Sequence, residues 1–490
     1  MDAVKRKADT PRENTQSTES SDDDRDDFVD DPKLTEAGVQ RRRDKDAKRR
    51  KENCCANMAE AQPAIRDAIR SLPAPAPEFA PKPKAGMVRA TDDRKKWEVC
   101  IKRVMLDGVA RPVFEDSAVA LLDQMQADVQ VITRAQFEAH ERALEQLAGA
   151  LPQKEGGHRD RSPLNDWSAV CADKLEAEGF RVADRRRPLV VAVLVDLRHG
   201  GGGGGGARST WSWQLDLKVL YVPSAAFPRL ATHHAPLMQQ FARAVRVTDG
   251  RSECAHVCNI APAPRSHQTA GTMAVCGWTV DPQGNPTIYG NSYDRDEHAS
   301  HTMRDHAASM KKLERTFLAP ALERRVQLAR EVKMPPLFAW ESRAEMPFTM
   351  VSLTAGFCCA PHQDQGEKGT LESILLAWPG DDVLTTATSS ERKSATLSEG
   401  ENWDFAAAGV ICRVSAGPGA GGGSDAQRSA CAAIFLPASG VYHYTLPLGH
   451  EGMHRLHPGL GSAAVSKPKI LGGMRRHMKG AGPFASQPSQ

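Results

Sequence analysis

The stretch 348–378, FTMVSLTAGFCCAPHQDQGEKGTLESILLAW, constrains this chain more than any other part of it. His362-Gln363-Asp364 stands between an apolar, β-branched run and a second short apolar run. Side chains two residues apart on an extended backbone share a face. The His362 imidazole and the Asp364 carboxylate are therefore aimed at one point. They supply two corners of a 2-His-1-carboxylate facial triad, the donor set that leaves three positions open on Fe(II). The third corner has to come from a later strand. His443, in AAIFLPASGVYHYTLPL, is the residue placed to supply it.

Context separates this pair from coincidence. With 16 His in 490 residues, about one H-x-D arises by chance. The chain has a second, His158-Arg159-Asp160, in a polar Gly/Lys/Arg-rich stretch that reads as a surface loop. The pair at 362 has strand-like residues before it (349–353) and after it (373–378), with a Gly/Cys/Pro turn between. Toward His443, 410–414 and 432–436 also read as strands, and 385–401 and 415–430 as low-complexity surface inserts. Without the inserts the order is strand, turn, strand, strand, His, as expected of a jelly-roll-like double-stranded β-helix carrying metal at one mouth. His450, His454 and His457 compete for the third position, but they lie in a Gly-rich loop rather than after an apolar strand. The competing reading makes His362 and His443 ordinary buried or surface histidines.

The remaining sequence reads as a frame around this site. Hydrophobic residues make up 40% of the chain, modest for one packed body of 490 residues, and residues 1–90 account for the shortfall as a disordered region. That region holds an acidic block (22–31), a basic block, RRRDKDAKRRK, with eight Lys/Arg in eleven residues, and a Pro/Ala spacer, LPAPAPEFAPKPK. The basic block, with Lys5-Arg6-Lys7, reads as a nuclear-import signal or a phosphate contact. The alternative is a solvated charge run. The N-terminus lacks an apolar leader, and the longest clean apolar run, 189–195, is far short of a bilayer span. Eleven cysteines scattered through such a chain suggest reduced thiols. The expectation is an intracellular, nuclear protein with no membrane contact.

Between 92 and 151 apolar residues recur at helical spacing, with Trp97, Ile101, Val104 and Met105 on one stripe and Ala120, Leu121, Met125 and Val129 on another. PLVVAVLVDL and WSWQLDLKVLYVP read as two strands joined through seven consecutive glycines, Gly200 to Gly206, a low-complexity hairpin insertion rather than a phosphate cradle. Cys254, His256, Cys258 and Cys276 match no paired zinc spacing. A long amphipathic helix follows over 297–318, lined by Met303, Met310, Leu313 and Phe317, and Pro320 opens its continuation. Arg324, Arg325 and Arg330 are expected on its exposed sides.

The run from PFTMVSLTAGFCCAPHQD to FLPASGVYHYTLPL resembles the catalytic core of the TET/JBP class of Fe(II)-dependent nucleic-acid oxygenases, and within it the algal 5-methylcytosine-modifying enzymes. The similar features are an amphipathic helix before the core, a small-residue turn before H-x-D, a Pro-x-x-Gly run leading to the distal His, and Gly461-Ser462 at the closing strand. The resemblance covers about 275–472. It implies Fe(II) held by His362, Asp364 and His443, with 2-oxoglutarate or ascorbate as co-substrate. The implied substrate is the methyl group of 5-methylcytosine in DNA, reached on a flipped-out base. Where 2-oxoglutarate enzymes place a basic residue after the distal His, this chain has Arg455, with Lys467 and Lys469 as later alternatives. Where the algal pattern has an additional acid three residues after the H-x-D pair, it has Glu367.

The sequence thus leads to an α+β chain: a disordered region over 1–90, a helical and β-hairpin part over 91–274, a double-stranded β-helix core with flanking helices over 275–472, and a basic disordered tail over 473–490. After Glu451 there is no acidic residue, while Arg455, Lys467, Lys469, Arg475, Arg476 and Lys479 follow. That one-signed charge suits a phosphate backbone, with a solvated tail as the alternative. Two other functions remain open: an Fe(II)/2-oxoglutarate oxygenase acting on protein or a small molecule, and a non-catalytic nuclear interaction protein.

Overall fold

The computed structural model describes residues 85–480, excluding 108, 110, 151–174, 177–179, 197–212, 246–260, 263–268, 281–284, 289–296, 335–346, 360, 365–366, 378–401, 416–429, 438–439 and 447–458. The N-terminal charged blocks, the glycine run, His158 to Asp160, most of the Cys/His cluster, nearly all of both inserts, His450, His454, Arg455 and His457 lie outside the described residues.

In chain order, β1 (Gly86–Arg89) leads to α1 (Arg94–Ile101), β2 (Val104–Met105), α2 (Asp116–Gln124), β3 (Asp128–Thr133) and α3 (Arg134–Ala150). Then come β4 (Arg181–Val182), β5 (Leu189–Asp196), β6 (Trp213–Pro223) and a wide helical turn, Leu230–His234, that runs into α4 (Ala235–Ala244). Next are β7 (Ala261–Pro262), β8 (Thr269–Val280), β9 (Pro286–Ile288), α5 (Glu297–Glu331), β10 (Met350–Cys359) and β11 (Leu371–Ala377). The chain closes with β12 (Asn402–Ala407), β13 (Val410–Ser415), β14 (Cys431–Pro437), β15 (His443–Thr445), β16 (Leu460–Val465) and α6 (Pro468–Gly480).

This is a mixed α/β architecture built on two sheets. The larger has the order β1-β3-β5-β6-β14-β11-β16-β10-β8-β7, with β2 on β6 and β9 on β8; the smaller has the order β15-β12-β13-β4. The larger sheet runs without a break across residue 275, and β8 itself straddles that position.

The period of 2 along a strand sorts side chains between the layers. On β11, Leu371, Leu375 and Ala377 join the core shared with α4 and α5, where Phe241, Met310, Leu313 and Phe317 are buried. Ile374 and Leu376 turn the other way, onto Trp403, Phe405, Val410 and Cys412 of the smaller sheet. β14 follows the same rule: Ala433 and Phe435 face the helices, Ile434 and Leu436 the smaller sheet. The larger sheet is thus covered on both faces, and β11 is buried at all seven positions. At Gly277 (φ +123°) the backbones of β8 and β10 come so close that a Cβ would lie 2.5 Å from the Thr349 carbonyl oxygen.

Three expectations need correction. Residues 128–133 are strand β3, parallel to β5, and Val104–Met105 are strand β2, parallel to β6, so Val129, Val104 and Met105 are not on helical stripes. The alternation of β-branched residues in DVQVIT outweighs the coincidental spacing with Met125. Arg325 is fully buried rather than exposed, paired with Glu314 at 3.2 Å, also fully buried. Both sit on α5, which breaks direction at Leu318 (φ −138°, ψ 45°) just before Pro320. That break turns the second half of the helix so that Arg325 reaches back to Glu314, and its guanidinium stacks 4.7 Å from the Phe348 ring. Thirdly, two stretches expected to be disordered are ordered elements: 86–89 is strand β1, and 473–480 belongs to helix α6. Directly after the expected insert, β12 is an additional partner of β13. Among the described residues no helix is long and apolar enough to cross a membrane.

Candidate metal centre

β10 has an irregularity between Ala355 and Cys358, stays paired with β8 through Cys359, and delivers the chain to buried Pro361 and then His362. His362 belongs to no strand. It forms an isolated antiparallel bridge with His443, the first residue of β15 in the smaller sheet. The His362 N–H donates to the His443 carbonyl at 3.0 Å, and the His443 N–H donates back at 2.9 Å. Directly opposed residues of an antiparallel pair carry their side chains on the same face, and the two imidazole centroids are 4.5 Å apart.

Asp364 completes the group. One donor atom from each of His362, Asp364 and His443 lies within 4.8 Å of the others, an arrangement that can hold a metal ion. Two imidazoles and one carboxylate suit a divalent first-row transition ion rather than Ca²⁺ or Mg²⁺, which prefer all-oxygen cages. His443 is buried. Its Nδ1 lies 3.1 Å from the Val441 carbonyl oxygen, and its ring stacks on Phe405 at 5.7 Å and 25°. A donor hydrogen bond from Nδ1 leaves Nε2 as the coordinating atom and fixes the ring's orientation. Burial, reinforced by the neighbouring His362, lowers the His443 pKa to about 4, so the ring is neutral at pH 7.

Two further ionisable groups border the triad. Glu372 points from β11 to the same face as Ile374 and Leu376, and its Oε2 lies 4.0 Å from His443 Nε2. Burial and the adjacent Asp364 charge push its carboxyl up to about 8. Lys467, two residues past the end of β16, places Nζ 3.0 Å from Asp364 Oδ1. Burial alone would raise the Asp364 pKa. The Lys467 ammonium and the two imidazoles overcome it and hold the carboxylate well below its usual range. Of the two carboxyls, Asp364 therefore carries the charge and Glu372 the proton.

All three expected ligands come together, and the structure also distinguishes among the basic residues. Lys467 has the same parity as Gly461 and Ala463, which face the smaller sheet, and it reaches the triad. Lys469 is exposed on α6. Arg455 lies outside the described residues. Glu367 is engaged elsewhere: its carboxylate is 3.6 Å from Arg475, and its N–H donates to the Ser466 carbonyl. Glu372 went unnoticed at the sequence level, although a lone carboxylate in the buried run LESILLA was a visible signal.

Glu141 was missed too. Its carboxylate, on α3, accepts hydrogen bonds from the Tyr442 N–H (2.7 Å) and the Gln363 side-chain amide (3.2 Å). Nothing in the sequence around 141 marks it. No protein-family model matches the chain, and no curated protein matches it.

Proposed function

We propose that this chain is an Fe(II)-dependent dioxygenase of the TET/JBP type that modifies the methyl group of 5-methylcytosine in DNA, with ascorbate or 2-oxoglutarate as co-substrate, in the nucleus. The observation that carries the reading is the convergence of His362 and Asp364, in the segment after β10, with His443 of the smaller sheet, next to a cation, Lys467, that follows the closing strand. The two packed sheets, with the donors where β10 and β15 meet, support a double-stranded β-helix core.

Iron held by these three residues supplies redox chemistry at open coordination positions. The chain's own residues do the remaining work. Phe405 and the Val441 carbonyl orient His443. Asp364, if it held the metal, would share its carboxylate less with the Lys467 ammonium. Lys467 would then serve an anionic co-substrate, a role that suits either a carboxylate or an ascorbate anion. Surrounding burial on β11, β14 and β16 limits water at the site. The exposed Lys469 and Arg476 on α6, just beyond Lys467, give a phosphate backbone a basic approach.

The test is nucleoside mass spectrometry after incubating the protein with methylated duplex DNA, Fe(II) and either ascorbate or 2-oxoglutarate. Loss of 5-methylcytosine with one co-substrate, absent in Asp364→Ala, is expected. Unchanged nucleosides from a protein that retains one iron per chain would reject DNA as the substrate and leave the iron centre standing.

A further inference from the structure

The two ligand-bearing segments have little regular structure of their own. His362 sits in a single isolated bridge, and β15 is three residues long. Each is nevertheless bonded to the same side chain. Glu141 reaches from α3, 222 residues before Gln363 and 301 before Tyr442. Gln363 separates His362 from Asp364, and Tyr442 immediately precedes His443. One carboxylate oxygen, Oε2, therefore holds the middle of the H-x-D segment and the approach to the distal histidine at once.

We propose that Glu141 is a positioning residue for the metal centre, clamping both ligand segments so that helix α3 is part of the site. This rests on the reading of the triad as a metal site. α3 is itself fixed over this end of the smaller sheet: Ala143 and Leu144 are buried, and the His140 ring lies over Gly409 at the β12–β13 turn. The clamp thus has a rigid support, which is what an outer partner needs in order to hold a ligand's direction. Burial pushes the Glu141 carboxyl up to about 7, against the opposing effect of the Tyr442 hydrogen bond. Either protonation state keeps an oxygen for the Tyr442 N–H, so the clamp works through geometry rather than charge.

The experiment is an anaerobic titration of the full chain with Co(II), following affinity and ligand-field absorption bands together. Removing an outer partner of a metal ligand typically costs about 10- to 100-fold in metal affinity. Glu141→Ala is expected to lose about that much and to shift the bands. Glu141→Gln keeps the one acceptor oxygen that the Tyr442 N–H and the Gln363 amide share, so it should bind within about threefold of the parent. The bands are the decisive readout, since a purely structural role would change thermal stability and leave them in place. If Glu141→Ala does not fold, Gln363→Ala removes one arm at an exposed side chain and should weaken Co(II) and move the bands by a smaller amount. A parent that binds Co(II) while Glu141→Ala, or in its place Gln363→Ala, matches it in affinity and bands would overturn the clamp alone. A parent that takes no metal would overturn the metal centre and the clamp together.

Discussion

His362 and His443 stand directly opposite each other and exchange both backbone hydrogen bonds, at 3.0 and 2.9 Å. The bridge is made by main-chain atoms only, so it survives loss of either ring. His362→Ala should keep the parent's far-ultraviolet circular dichroism while its Fe(II) or Co(II) affinity falls by more than about 100-fold, beyond the loss expected for an outer partner. Metal titration alongside a thermal melt checks both halves. Parent-like metal affinity would remove His362 from the centre.

Lys467 and Asp364 form a charge-assisted contact at 3.0 Å. If the ammonium serves the co-substrate, Lys467→Ala should raise the co-substrate KM by about 10- to 100-fold, the equivalent of one hydrogen bond to a charged group, with a smaller change in kcat. Lys467→Arg should recover most of the loss. Steady-state kinetics with the co-substrate varied decides it, and an unchanged KM in the alanine variant would exclude the role.

Glu314 and Arg325 are both fully buried, and Glu314 also accepts a hydrogen bond from the Ser373 hydroxyl at 3.1 Å. Removing one partner strands a buried charge, at a cost of about 3–5 kcal/mol. Arg325→Met and Glu314→Leu should each approach that loss in urea denaturation. The double variant should lose clearly less than the sum, since neither charge is then left unpaired. Strict additivity would show that the two groups do not interact.

Gly409 (φ +77°) would, with a Cβ, meet the His140 ring at 2.8 Å. Gly409→Ala is expected to destabilise the fold by about 1–3 kcal/mol through left-handed strain and the ring contact. Adding His140→Ala should relieve only the contact. Equilibrium denaturation of the single and double variants separates the two contributions.

His140 also sets a pH response. Burial lowers its pKa from 6.5 to about 4, so between these values the unfolded chain binds the proton that the folded chain refuses. Its contribution to stability therefore rises from pH 4 to 6.5 and is lost on acidification through that window. Adjacent Glu141, raised from 4.5 to about 7, acts in the opposite sense. The difference in urea midpoint between parent and His140→Ala, measured at pH 5 and pH 7, isolates the histidine. It should shift in the parent's favour at pH 7.

Much of this architecture is a local property and could be read directly from the chain. Short apolar runs marked β5, β6, β10, β11, β13 and β14, and spacing plus Pro320 marked α5 and its break. The choice of His362, Asp364 and His443 followed from residue type, spacing and an apolar strand nearby. Three-dimensional pairing lay beyond that reach. An arginine in a polar helix looks exposed until the break at Leu318 brings Glu314 under it. Of the two lysines offered as alternatives to Arg455, Lys467 follows the closing strand and reaches Asp364, while Lys469 falls in helix α6 and is exposed. Glu141 meets Gln363 and Tyr442 only because α3 packs over a turn formed hundreds of residues later. The identity of the donors and the strands that carry them were thus determined by the sequence alone, because period and side-chain chemistry act over a few residues. The partners of those donors were decided by the tertiary structure, because they depend on the register of strands and helices far apart in the chain.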